Sequence, residues 1–127
     1  MEPLIIKATD STPGIHFDKS KGIFEITGNS LPEDVTKFYK PVFDWLNKYV
    51  DEPNTSTVIV FKLTYFNSAS SKTLFSLLSL LENLLSKGAQ IKIDWCYMEV
   101  DEDTLDAGKE YAGMVKIPFN FKQFQSF

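Results

Sequence analysis

Thr57-Val58-Ile59-Val60-Phe61-Lys62-Leu63-Thr64-Tyr65 is the stretch on which the fold turns, because β-branched and aromatic residues run through it almost without a polar break. That pattern predicts a central β-strand. Downstream, Phe66-Asn67-Ser68-Ala69-Ser70-Ser71-Lys72 reads as a polar turn. Leu74, Phe75, Leu77, Leu78, Leu81, Leu84 and Leu85 then recur as the broad apolar face of a helix that Gly88 ends. Ile91-Lys92-Ile93-Asp94-Trp95 alternates as a second strand. Two strands joined through a helix are parallel neighbours in a right-handed crossover.

Working outward towards the N-terminus, Leu4-Ile5-Ile6 and Ile15-His16-Phe17-Asp18 read as short strands around the turn-forming Asp10-Ser11-Thr12-Pro13-Gly14. With Gly22 to Thr27 continuing the alternation, residues 15 to 27 predict a hairpin. Ser30 and Glu33 have capping-box spacing ahead of Val35, Phe38, Tyr39, Val42, Trp45, Leu46 and Tyr49, which predicts a helix to about Val50 with a kink or break near Lys37 to Pro41. Towards the C-terminus, the acidic Asp101-Glu102-Asp103 precedes a short helix to about Tyr111, and Val115 to Phe119 reads as a last strand. The whole predicts one α/β domain over residues 1–127: a two-layer sandwich with a mixed β-sheet, an N-terminal hairpin and a parallel crossover. Trp45, Phe61, Leu77, Leu81 and Ile93 are the expected core.

The totals narrow the function. Thirteen basic against seventeen acidic residues give a net charge of −4, and the lysines are scattered, so a nucleic-acid partner is not expected. Cys96 is the one cysteine, which excludes an internal disulfide and fits the cytoplasm. The start of the chain has no signal-like segment and the leucine-rich stretch is interrupted by Ser76, Ser79, Glu82 and Asn83, so neither export nor a membrane span is expected.

No catalytic constellation emerges. His16 is the single histidine and reads as a strand residue; a hydrolase built on it would need the Ser68 region within hydrogen-bond reach. Cys96 reads as packing beside Trp95 and Tyr97. Counted as a calcium loop from Asp101, the acidic run puts Asp106 where a glycine and Ala112 where a glutamate are required, so it reads as a helix start instead. No metal and no cofactor is expected.

The hydroxyl cluster Ser68, Ser70 and Ser71 has two readings. Asn67 or Ser68 caps the helix and its neighbours are good first-turn residues. The same geometry also suits a phosphorylation switch, since a phosphoserine there adds nearly two negative charges beside the free N–H groups of a helix start.

Taken in order, several motifs together resemble the SiaC-like regulatory phosphoproteins of bacteria. They are Ser11-Thr12-Pro13 with Phe17-Asp18, Gly28-Asn29-Ser30-Leu31-Pro32-Glu33, Phe38-Tyr39-Lys40-Pro41 with Trp45-Leu46, Tyr65 to Lys72, Ile93-Asp94-Trp95 and Pro118-Phe119. The resemblance spans nearly the whole chain. It implies a fold similar to the STAS domains of anti-sigma-factor antagonists and a non-enzymatic role in a partner switch set by a serine/threonine kinase and an opposing phosphatase. It further implies that the unphosphorylated form binds a downstream target, a diguanylate cyclase in one branch of the family, and that the phosphorylated form releases it. The hydroxyl residue after the asparagine of Tyr-Phe-Asn is the family's phosphoacceptor, which corresponds to Ser68, with Asn67, Ser70, Ser71 and Lys72 as the surrounding partner-binding residues. Serine stands here where threonine is commoner, Ala69 replaces a hydroxyl residue, and Asn29 stands where a basic residue is usual. The alternative is a constitutive binding scaffold in which Ser68 is only a helix cap.

Overall fold

The computed structural model describes residues 1–127. Six strands form one sheet in chain order: β1 (Leu4–Ile6), β2 (Gly14–Asp18), β3 (Ile23–Ser30), β4 (Ser56–Phe66), β5 (Gln90–Met98) and β6 (Phe119–Phe124). β1, β2 and β3 are antiparallel, whereas β3 to β6 are parallel. The expected hairpin and the expected crossover are therefore both present. Each parallel connection carries a helix: α1 (Val35–Tyr49), α2 (Ser68–Leu81) with the short α3 (Asn83–Ser86), and α4 (Glu102–Met114).

All helices cover one face of the sheet. In β4, Thr57, Ile59, Phe61 and Leu63 are buried on that face while Val58, Val60 and Lys62 between them stay half-exposed. The period of two that the sequence conceals behind continuous apolar residues is thus real. Trp45, Phe61, Leu77, Leu81 and Ile93 are all buried, as expected. On the opposite face Asp94 is held by the Lys122 ammonium at 3.0 Å.

Four boundaries differ from those read off the sequence. Asp34, not Ser30, caps α1, its carboxylate accepting from Lys37 N at 3.0 Å, because Ser30 is used as the last paired residue of β3 opposite Phe66. Pro41 lies inside α1 without breaking it; burial of Tyr39, Val42, Trp45, Leu46 and Tyr49 on one side holds the helix together across the missing N–H. The leucine-rich helix divides after Leu81, where the backbone tightens into i to i+3 bonds such as Leu85 N to Glu82 O at 3.0 Å. The last strand begins at Phe119 rather than Val115, and α4 runs on to Met114. Val115 and Ile117 mimic strand alternation because they belong to a connecting segment laid on the core, where both are buried.

Candidate functional site

The site forms where β3 and β4 end and α2 begins. At Gly28, with φ +95°, the pairing of β3 with β4 shifts register past the unpaired Thr64, after which Asn29 pairs with Tyr65 and Ser30 with Phe66. The left-handed backbone there suits glycine. Beyond this shift Asn29 donates from its amide to Asp10 O at 3.1 Å, tying the strand end to the β1–β2 loop. Asn67 N donates to Ser30 O at 3.1 Å, so the chain leaves β4 anchored to β3.

Asn67 is the helix cap. Its backbone is extended, its side-chain oxygen accepts from Ser70 N at 2.9 Å, and its carbonyl accepts from Ser71 N at 2.8 Å. Ser68 is therefore relieved of capping: it is exposed as the first helical residue, and its hydroxyl makes no hydrogen bond within the chain. The first turn of α2 contains no acidic residue, in contrast to α4, where Asp101 caps Thr104 N at 3.0 Å and Glu102 and Asp103 follow. The positive end of the α2 dipole is left without a charge to balance it. Lys72, one turn further on, is exposed and in no ion pair.

The neighbouring hydroxyls behave differently. Ser70 is completely buried and accepts from Ser30 Oγ at 2.8 Å, and Ser30 Oγ lies 2.6 Å from the Tyr39 hydroxyl, which is the remaining donor of the chain. Ser71 is half-buried; Tyr111 donates to its carbonyl at 2.8 Å, and the Ser71 hydroxyl is 2.9 Å from the Tyr111 oxygen. Of the residues read as a partner-binding set, Ser68 and Lys72 face solvent, Asn67 is half-exposed, and Ser70 and Ser71 are turned inward. His16 lies on β2 on the face away from the helices, between Ile5 and Glu25 in register, so the sheet separates it from Ser68 and brings no dyad together.

Burial pushes the Tyr39 phenol up to about 12, with its Ser30 bond opposing the rise. Burial raises the Tyr111 phenol as well, its Ser71 bond again opposing. Tyr39 therefore stays a donor across the physiological range. A phenol in the unfolded chain ionises near 10 while this one does not, so the unfolded state gains a proton-loss advantage only as pH rises above 10. Stability is expected intact below pH 10 and to fall by about 3 kcal/mol between pH 10 and 12. Urea titrations of wild type and Tyr39→Phe across that window check this: the variant should lose less with pH, and parallel losses would contradict it.

The rim carries exposed apolar groups, with Tyr65 at 56% exposure, Leu31 at 37% and Ala69 next to Ser68. A cleft of about 260 Å³ opens beside it, lined by Thr64, Tyr65, Phe66, Asp101, Asp103 and Thr104 among others. No group of three His, Cys, Asp or Glu residues is arranged to hold a metal ion, and no helix is long and apolar enough to cross a membrane.

A mixed sheet covered on one face, with an unbonded serine displayed at a helix start among apolar side chains, makes this a small single-layered-sheet α/β domain. The model of the SiaC family regulatory phosphoproteins matches residues 6–124, and the chain belongs to that family. It is 28% identical over 119 residues to an uncharacterised protein of Pseudomonas aeruginosa (strain UCBPP-PA14), with 94% of each chain covered. Among solved structures it is similar to SiaC of Pseudomonas aeruginosa, with TM-score 0.87, 27% identity, and 98% of this chain and 100% of that one covered. It is equally similar to a chain in the crystal structure of the diguanylate cyclase SiaD in complex with its activator SiaC, from the same organism. There the TM-score is 0.88 at 26% identity, covering 95% of this chain and 99% of that one.

Proposed function

We propose that this chain is a non-enzymatic cytoplasmic regulator that binds a diguanylate cyclase when unmodified and releases it when Ser68 is phosphorylated, a serine/threonine kinase and a phosphatase setting the state. The observation that carries the reading is the Ser68 hydroxyl, exposed on the first turn of α2 and bonded to nothing. It serves no structural purpose, because Asn67 performs the capping. A phosphate on Ser68 would find the N–H groups of Ser68 and Ala69 at the uncompensated end of the helix, so the domain tolerates it. A partner packed on Leu31, Tyr65 and Ala69 does not, since it would have to bury the phosphate against apolar atoms. The cyclase as target is supported by the relative described as activator of SiaD.

The test is enzymatic but reads the partner. Unmodified chain added to a diguanylate cyclase from the same cells should raise the conversion of GTP to cyclic di-GMP, and chain phosphorylated on Ser68 should not. An unchanged rate with unmodified chain would overturn the cyclase as target.

A further inference from the structure

Three serines stand within four residues at the start of α2, yet they are presented to an incoming kinase very differently. A kinase takes its acceptor in an accessible backbone: the serine Oγ attacks the γ-phosphorus of ATP, the bridging P–O bond to ADP breaks, and the hydroxyl proton passes to the kinase's general base. Ser68 can meet those demands as it stands. Ser70 cannot, because its hydroxyl is wholly buried, Ser30 donates to it, Tyr39 in turn donates to Ser30, and its own N–H is held by Asn67. Exposing it requires the first turn of α2 to open and leaves the Ser30 hydroxyl without its acceptor in the core, which is costly. Ser71 is withheld by Tyr111 from the other side.

On the reading of Ser68 as acceptor, we infer that the Tyr39–Ser30–Ser70 hydroxyl chain is a specificity device that confines modification to Ser68. The three residues come from α1, β3 and α2, so the device exists only in the folded domain. Their role is positioning: none of them receives the phosphate.

Phosphosite mapping by mass spectrometry on protein purified from its own cells tests this. Wild type should carry phosphate on Ser68 alone, and Ser68→Ala, which removes no hydrogen bond, should carry none on Ser70 or Ser71. Adding Ser30→Ala to Ser68→Ala removes the donor to Ser70, enlarges the locally opened population by about tenfold, and should bring phosphate on Ser70 into detection. Ser68→Ala with Ser30→Cys, which keeps the side chain's shape but leaves only a weak thiol donor to Ser70, is the second route to the same result if the first pair folds poorly. Phosphate on Ser70 in the Ser68→Ala protein, or none on Ser70 in either double variant, would overturn the inference. Wild type without phosphate on Ser68 would overturn the acceptor reading and the inference with it.

Discussion

Gly108→Ala is expected to destabilise the protein by about 3 kcal/mol, the upper end of the ordinary cost of an overpacked core. A Cβ on Gly108 would collide with Trp95 Nε1 and lie 2.5 Å from its Cδ1. The indole cannot retreat: it is 1% exposed, donates to Thr104 O at 2.8 Å, stacks on Phe61 at 5.4 Å and meets Tyr111 edge-on at 5.6 Å. Relief has to come from α4 lifting off the sheet, which breaks the Trp95–Thr104 bond and draws Tyr111 away from Ser71. Gly113→Ala on the same helix is the control, since a Cβ there meets nothing within 4 Å. Gly113 lies in the last turn of α4, so the gain from that change stays below the roughly 1 kcal/mol of a helix interior. Urea unfolding of both variants should move the midpoint in opposite directions; a Gly108→Ala midpoint equal to wild type would contradict the close packing of α4 on Trp95.

Ser68→Asp is expected to weaken partner binding by about 100-fold or more while leaving the domain at least as stable as wild type. The two effects have different origins. At the head of α2 a carboxylate supplies the charge that the first turn lacks, worth about 0.3–1 kcal/mol in favour of folding. A partner packed on the proposed surface of Leu31, Tyr65 and Ala69 would have to bury the same charge against apolar atoms, at a cost of several kcal/mol. Ser68→Ala should retain binding, because the hydroxyl it removes has no partner in the chain. Thermal unfolding and calorimetric titration of both variants separate the terms. Undiminished binding by Ser68→Asp would place the contact surface elsewhere and leave a constitutive scaffold.

Much of the fold was legible because its signals are local. The run from Thr57 to Tyr65 and the alternation around Ile93 identify β4 and β5, and the leucine spacing identifies the helix between them. What was hidden depends on partners distant in sequence. Ser30 looks like a cap when only Glu33 is considered, but Phe66 and Ser70, far along the chain, claim it for the sheet and the core. Val115 and Ile117 alternate like a strand, and only the position of Pro118, whose carbonyl accepts from Ile93 N at 2.9 Å, shows why pairing starts one residue later.

The candidate site divides in the same way. Asn67 and Ser68 could be identified from the turn between strand and helix, because capping is a matter of neighbouring residues. By residue type Ser70 and Ser71 are equivalent to Ser68; Tyr39, acting through Ser30, and Tyr111, which hold them inward, come from other helices. The helical period puts Ser70 with Leu74, Leu77, Leu78 and Leu81 on the buried side, a signal that could have separated it from Ser68.

The most direct test of the switch compares two forms of the same chain, unmodified and fully phosphorylated on Ser68, in calorimetric titrations against the protein that co-purifies with the unmodified form. The expected result is tight binding by the first and a loss of about 100-fold or more in the second, with the fold unchanged. Equal affinities for the two forms would contradict it.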